Sequence, residues 1–107
     1  MVLLKEEKED GIVSCIFKSS NILASDYNQE KKELTIIFNA GRRYTYSDVN
    51  HKDYHRFEMA ESQGQFFNKY IKKYPTKKNS DINPAELLNR VTEILNEQNR
   101  TTIPKSS

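Results

Sequence analysis

The chain has 107 residues, of which 36% are hydrophobic and 30% are charged, and its formal net charge is +2. This length allows one domain with a small core and excludes a multidomain enzyme. A single cysteine excludes an internal disulfide, and the longest apolar runs fall far short of the roughly 20 residues of a membrane span, so we expect a cytoplasmic protein with no membrane partner.

Alternating apolar and polar residues in the first half of the chain predict an antiparallel β-meander of three to four strands. The candidate strands are residues 12–18, 22–27, 34–38 and 42–47. Gly41 favours a tight turn before the last of them, because glycine takes positive φ angles at low cost. In that last strand Tyr44 and Tyr46 share one face, and the residues between them share the other.

From Asn50 onward the apolar spacing changes to three and four residues, which predicts two short helices. Asn50 or Ser47 would cap the first helix, and Gly64 is expected to end or bend it. The second helix starts near Phe66 and stops before Pro75, because the residue preceding a proline resists helical geometry. Two such helices can cover one face of the sheet, so the predicted fold class is α+β.

A third helix is predicted at the C-terminal end of the chain. Asn83 is a suitable N-cap, Pro84 suits the first helical position, and Glu86 completes a capping box. The helix carries one apolar stripe, formed by Leu87, Leu88, Val91, Ile94 and Leu95. This stripe either folds back on the second sheet face or pairs with another copy of the chain, and we expect a homo-oligomer.

The predicted organisation has five segments. They are an acidic leader with an extra strand (residues 1–18), a core (19–75), a linker (76–83), an amphipathic helix (84–99) and a disordered tail (100–107). Positive charge is concentrated in the middle of the chain, where residues 42–78 hold nine Lys or Arg against four Asp or Glu. Such a concentration either attracts phosphate groups or forms a solvated surface.

The residues do not assemble a convincing catalytic or metal site. Ser19 and Ser20 lack the glycine-framed elbow of a nucleophilic serine, and turn or capping roles suit them better. His51 and His55 lie one helical turn apart, but no third ligand accompanies them, and we interpret them as surface residues. We therefore expect a protein that is not an enzyme and that uses no metal or cofactor.

A nucleotide-binding site requires hydroxyl, amide and guanidinium donors close to the flat faces of aromatic rings. The candidate ligand-binding residues are Ser19, Ser20, Asn21, Arg42, Arg43, Tyr44, Tyr46, Asn68, Lys69 and Lys72. The alternatives are that the aromatic residues belong to the core and that the lysines form a solvated face.

From Ser19 to Tyr74 the chain resembles the KTSC domain, a module named for its occurrence at the C-terminus of some lysyl-tRNA synthetases. The elements that carry the resemblance are Ser19-Ser20-Asn21-Ile22, Tyr27, the strand from Leu34 to Phe38, Gly41, Tyr44, Tyr46, Val49, Tyr54, Ser62, Gly64, Phe66-Phe67-Asn68, Ile71 and Tyr74. The leader strand before Ser19 and the capped helix after Asn83 are additions to the module.

The resemblance implies proximity to nucleic acid or nucleotides. Some small phage proteins similar to this module sequester cyclic nucleotide signals of bacterial immunity, as sponges against CBASS defence. We therefore expect a non-enzymatic sponge that holds cyclic dinucleotides in the host cytoplasm. The alternatives are an RNA- or tRNA-binding accessory module and a protein-interaction adaptor.

Overall fold

The structure is a computed structural model that describes residues 2–86 and 89. Within these residues the fold is α+β, with one antiparallel sheet in which each strand pairs with the next one in sequence. The strands are β1 (Val2–Glu7), β2 (Ile12–Phe17), β3 (Ile22–Asn28), β4 (Glu33–Phe38), β5 (Arg43–Tyr46) and β6 (Thr76–Lys78). The helices are α1 (His51–Met59) and α2 (Gln63–Phe66), and α2 continues directly as a π-helical segment, Phe67–Ile71.

The prediction of three to four strands is wrong, because the described residues form six. The first additional strand, β1, comes from the acidic leader and pairs antiparallel with β2. Its charged second half, Lys5 to Glu7, hides the alternation that normally reveals a half-buried strand. The other, β6, falls in the segment predicted to be a linker, and all three of its side chains are exposed. It forms through main-chain pairing with β5, which leaves no hydrophobic pattern in the sequence.

The main core lies between the helices and one face of the sheet. Its buried members are Val13, Cys15, Phe17, Ile22, Tyr27, Leu34, Ile36, Tyr46, Val49, Tyr54, Phe57, Phe67 and Ile71. Tyr27 and Tyr54 stack with their ring centroids 4.1 Å apart, and the Tyr27 hydroxyl donates to the Val49 carbonyl at 2.6 Å. These contacts join β3 to α1 across the two layers.

Local hydrogen bonds set the limits of the helices. The Asn50 side chain accepts from the Asp53 N–H at 2.7 Å, so Asn50 is the N-cap of α1. Gly64, expected at the end of this helix, lies inside α2 and is buried. The helix ends earlier, at Met59, and the Ser62 side chain starts α2 by accepting from the Gln65 N–H.

The opposite sheet face carries a smaller cluster, in which Ala24 and Ile37 are buried beside Ile82. The chain reaches this face by running along β5, where the Ile82 N–H donates to the Gly41 carbonyl at 2.8 Å. The Asn83 side chain then accepts from the Ala85 N–H, and a helical turn follows at 84–86. The predicted apolar stripe of the third helix and the predicted tail lie outside the described residues. None of the helices described here is long and apolar enough to cross a membrane.

Candidate functional site

A cleft of about 460 Å³ opens where the start of β3 and the end of β4 meet α2 and the π-helical segment. Its lining residues are Ser20, Asn21, Ile22, Phe38, Asn39, Ala40, Arg42, Tyr44, Gly64, Phe67 and Asn68. The volume lies within the range of roughly 300–1,000 Å³ that is usual for small-molecule sites. Antiparallel pairing creates this location, because Ile22 and Phe38 lie opposite each other in the sheet.

One wall of the cleft consists of the loop before β3 and the turn after β4, and hydrogen bonds join the two. The Ser19 hydroxyl accepts from the N–H groups of Asn21 and Ile22, both at 3.2 Å. The Asn39 amide donates to the Ser19 carbonyl at 3.1 Å, and the Asn39 N–H donates to the Asn21 carbonyl at 2.9 Å. Ser19 therefore stabilises this wall without lining the cleft itself.

The β4–β5 turn places Arg42 at the rim of the cleft. The Gly41 N–H donates to the Phe38 carbonyl at 2.8 Å, and the Phe38 N–H donates to the Arg42 carbonyl at 2.9 Å. Gly41 has a φ of +96°, and a Cβ at this position would lie 2.2 Å from the Ile82 carbonyl oxygen. Only glycine fits this turn, both for its backbone angle and for its contact with the C-terminal segment.

The helical side of the cleft is formed by Gly64 and by the start of the π-helical segment. A Cβ on Gly64 would lie 3.1 Å from the Asn21 side-chain nitrogen, so glycine allows the loop and the helix to approach closely. Asn68 follows in the π-helical segment, and its side chain is exposed at the cleft. Single π-helical turns of this kind are frequent at functional sites.

The floor of the cleft is apolar and aromatic. Phe38 and Tyr44 are half-buried and meet edge to face with their ring centroids 5.9 Å apart, and Phe38 meets Phe67 in the same way at 5.4 Å. Ile22 beneath them is fully buried. Because the rings are held by one another and by the core, the floor offers a rigid surface to a flat ligand.

The electrostatics of the cleft favour an anion. Arg42 is exposed at the rim, and none of the described lining residues is Asp, Glu, His or Cys. An exposed guanidinium presents a planar set of N–H donors that suits carboxylate or phosphate. The described residues also contain no group of three or more His, Cys, Asp or Glu residues that could hold a metal ion.

The sequence profile of the KTSC domain matches residues 18–74, more than half of the chain. The chain belongs to the KTSC domain family. A solved structure supports this assignment. The crystal structure of a KTSC domain protein from Yersinia pestis superimposes on this chain with a TM-score of 0.62, and the two sequences are 30% identical. The similarity covers 64% of this chain and 99% of that one. No curated protein matches the chain.

All residues that line the cleft fall within the matched KTSC domain. The cleft brings together half of the candidate residues named from the sequence, namely Ser20, Asn21, Arg42, Tyr44 and Asn68. Ser19 does not line the cleft, but its hydrogen bonds to Asn21, Ile22 and Asn39 hold one wall in place. The strands β1 and β2 precede the matched residues and β6 follows them, so the described sheet continues beyond the matched segment at both edges.

The remaining four candidates lie elsewhere in the domain. Arg43 pairs with Ile37 in the sheet and lies on the face opposite the helices. Tyr46 is a core residue, and burial raises its pKa to about 12. Lys69 borders a separate depression beside Tyr70, and Lys72 is exposed at the end of the π-helical segment. Adjacent residues of a strand point to opposite faces, which separates Arg43 from Tyr44.

Several cleft residues were not among the sequence candidates. Asn39 was interpreted only as part of a turn, and Phe38 only as part of a strand. The pairing of β3 with β4 brings both beside Asn21, and the register of that hairpin would have indicated this. The positions of Gly64 and Phe67 at the cleft depend on the residue at which α2 begins. The spacing of apolar residues in the sequence does not define that residue.

Proposed function

We propose that this KTSC protein is a non-enzymatic nucleotide-binding protein whose ligand occupies the cleft. The observation that supports this is the position of Arg42 at the rim of the cleft, above an apolar floor. The side-chain amides of Asn21, Asn39 and Asn68 border that floor. A phosphate requires charged N–H donors, and a nucleobase requires a flat apolar surface with amide groups at its edge. Arg42 would bind the phosphate, and Phe38 or Tyr44 would face the base.

The ligand class we favour is the cyclic dinucleotides. Their two phosphates need cationic donors, and their bases are large flat surfaces whose burial gives affinity. The resemblance of the module to small phage proteins that sequester cyclic nucleotides supports this choice. In that role the protein would be a sponge that lowers the free concentration of a CBASS signal in the cytoplasm of an infected cell.

Storage of the ligand fits this cleft better than cleavage. A hydrolytic step needs an activated nucleophile or a general base, usually a histidine or a carboxylate. The described lining provides the hydroxyl of Ser20 and offers neither of those groups beside it. We therefore expect the bound nucleotide to be released unchanged when the protein is denatured, as chromatography of the supernatant would reveal.

Calorimetric titration with a panel of cyclic dinucleotides and mononucleotides tests the proposal. Arg42→Ala should weaken binding by about 10- to 100-fold, as expected when a charge-assisted hydrogen bond is lost. Arg43→Ala is the matched control, because it removes the same charge one residue away on the opposite sheet face. An absence of heat with every ligand, or equal losses in the two variants, would contradict the proposal.

A second candidate function is RNA binding, which a set of exposed lysines outside the cleft lining favours. Lys69, Lys72, Lys73, Lys77 and Lys78 are all exposed. Two of them lie over aromatic rings, since the Lys69 nitrogen is 5.5 Å from the Tyr70 ring centroid and the Lys73 nitrogen is 5.7 Å from that of Tyr74. Basic residues interleaved with aromatic ones are typical of surfaces that track single-stranded RNA.

A further inference from the structure

The chain continues past the KTSC match and contacts the turn between β4 and β5. The match ends at residue 74, and β6 and a flanking segment, residues 79–84, follow it along β5. The Ile82 N–H of this segment donates to the Gly41 carbonyl at 2.8 Å, next to Arg42 in the turn. Residues outside the matched domain therefore contact the turn that carries the proposed phosphate-binding side chain.

Hydrogen bonds hold three consecutive carbonyls of this turn. The Arg42 carbonyl accepts from the Phe38 N–H of β4 at 2.9 Å. The carbonyls on either side of it, those of Gly41 and Arg43, accept from the flanking segment, the second of them from the Asn79 N–H at 2.9 Å. Successive carbonyls of a strand point to opposite sides, so β4 holds the middle one and the flanking segment holds the outer two. The backbone on both sides of Arg42 is thus fixed.

The flanking segment is itself anchored to the sheet. The Ile82 side chain packs against the buried Ala24 and Ile37 on the face opposite the helices. The Asn79 side-chain amide donates to the Thr45 hydroxyl at 2.7 Å. Each of these two residues therefore binds the turn through its main chain and the sheet through its side chain.

We propose that Ile82 is a positioning residue for Arg42, and that the flanking segment sets how strongly the cleft holds a phosphate. Arg42 is exposed, so its side chain must be ordered when an anion binds, and that ordering costs free energy. A turn whose backbone is already fixed lowers this cost, because only the side chain remains to be ordered. The flanking segment acts through Arg42, since its own residues do not line the cleft.

This inference rests on the proposed function, because the affinity that it concerns is the affinity for a phosphate in the cleft. Its structural part, the fixing of the turn by Ile82, involves no ligand. One experiment therefore measures nucleotide affinity, and a second measures the turn in the free protein.

Calorimetric titration of Ile82→Pro with cyclic di-AMP and cyclic di-GMP tests the effect on affinity. Proline removes the N–H that donates to Gly41, whereas Ile82→Ala is the matched control that keeps the N–H and shortens the side chain. Ile82→Pro should weaken binding roughly 5- to 20-fold, and it should cause no further loss in an Arg42→Ala background, because residues that act through one contact are not additive. Ile82→Ala should weaken binding clearly less. Affinity for adenosine and guanosine, which have no phosphate, should stay unchanged in Ile82→Pro.

Amide hydrogen exchange in the free protein tests the turn itself. The N–H groups of Gly41 and Phe38 bond within the turn, and they should exchange about tenfold faster or more in Ile82→Pro. The amides of β2 are the internal control and should be unaffected. A wild-type protein that binds no nucleotide would contradict the proposed function, and the exchange rates would then decide the positioning role alone. The inference is overturned by unchanged exchange in Ile82→Pro, or by a loss of affinity in that variant that is as large without Arg42 as with it. It is also overturned if Arg42→Ala weakens binding while Ile82→Pro does not.

Discussion

Lys5 and Glu58 join the edge strand to the helical layer, with 2.7 Å between the Lys5 nitrogen and a Glu58 carboxylate oxygen. Glu58 is 7% exposed, whereas the Lys5 side chain is 40% exposed. The hydrogen bond to Glu58 raises the pKa of Lys5. A strand added before the matched KTSC residues is therefore fastened to α1 by a charged pair, one member of which is almost removed from solvent.

Lys5→Met should lower the free energy of unfolding because it leaves the Glu58 carboxylate buried without its cation. Loss of one partner costs about 3–5 kcal/mol in fully buried pairs, and the partial exposure of Lys5 reduces our expectation to roughly 1–3 kcal/mol. Urea denaturation measures this, with Lys8→Met as the exposed control. Adding Glu58→Gln should recover part of the loss, and a Lys8→Met effect of equal size would contradict the assignment.

Ser25 is a buried hydroxyl without a hydrogen-bond partner among the described residues. It is 1% exposed and pairs with Cys15 and Ile36 in the sheet. Ser25→Ala removes an unsatisfied polar group, so we expect a gain of about 1 kcal/mol in urea denaturation. Ser14→Ala is the contrasting variant, because the Ser14 hydroxyl donates to Asp26 at 2.6 Å and its removal should reduce stability. Equal signs for the two variants would refute this account.

Gly11 and Gly41 both have positive φ angles, but only Gly41 is closely approached by another part of the chain. A Cβ on Gly41 would lie 2.2 Å from the Ile82 oxygen, whereas the nearest atom at Gly11, on Glu30, is 4.0 Å away. Gly11→Ala should therefore cost about 1 kcal/mol from backbone strain alone. Gly41→Ala should cost clearly more in the same denaturation experiment, and it should also weaken nucleotide binding by displacing Arg42.

Much of the sheet could be predicted from the sequence. The four central strands have alternating β-branched and aromatic residues, and Gly41 marks the turn that joins two of them. The edges could not be predicted in this way. β1 ends in three consecutive charged residues, Lys5 to Glu7, and β6 joins the sheet by main-chain pairing with β5 while its three side chains stay exposed. Hydrophobic periodicity indicates which side chains are buried. It gives no information on strand pairing through main-chain hydrogen bonds.

The cleft was only partly predictable, for a related reason. Ser20, Asn21, Arg42 and Tyr44 were candidates because their chemistry suits a nucleotide. Chemistry alone could not separate Arg42 from Arg43, because the two differ only in the direction in which the turn and strand point them. Residue type identifies what a side chain can bind, while the register of the sheet determines whether it reaches the cleft.

Stability should fall at alkaline pH because the fold raises the pKa of four tyrosines, Tyr27, Tyr46, Tyr54 and Tyr74, above the ordinary value. Burial raises the pKa of Tyr46 to about 12, and burial with a hydrogen bond to Asp53 raises that of Tyr74 to about 12. Both values exceed the ordinary value of 10.0, so their contribution is complete below about pH 10 and is lost as the pH rises through about 12. Urea denaturation at stepped pH should show this decline, and Tyr46→Phe should make it shallower. An unchanged slope in that variant would contradict the assignment.

Salt dependence separates the two candidate functions, because a ligand in the cleft and an RNA held by the exposed lysines would depend differently on charge. RNA held by Lys72, Lys73 and their neighbours would release many counterions, so affinity should fall steeply with salt, and a Lys72→Ala, Lys73→Ala double variant should flatten the slope. A cyclic dinucleotide has two phosphates and would gain most of its affinity from stacking and amide contacts, so its slope should be shallow. That slope should be unaffected by the double lysine variant, and affinity should fall with Arg42→Ala. Fluorescence titrations of both ligands at several salt concentrations make the comparison. Tight RNA binding with a steep, lysine-dependent slope, together with no measurable binding of any cyclic dinucleotide, would reject the sponge.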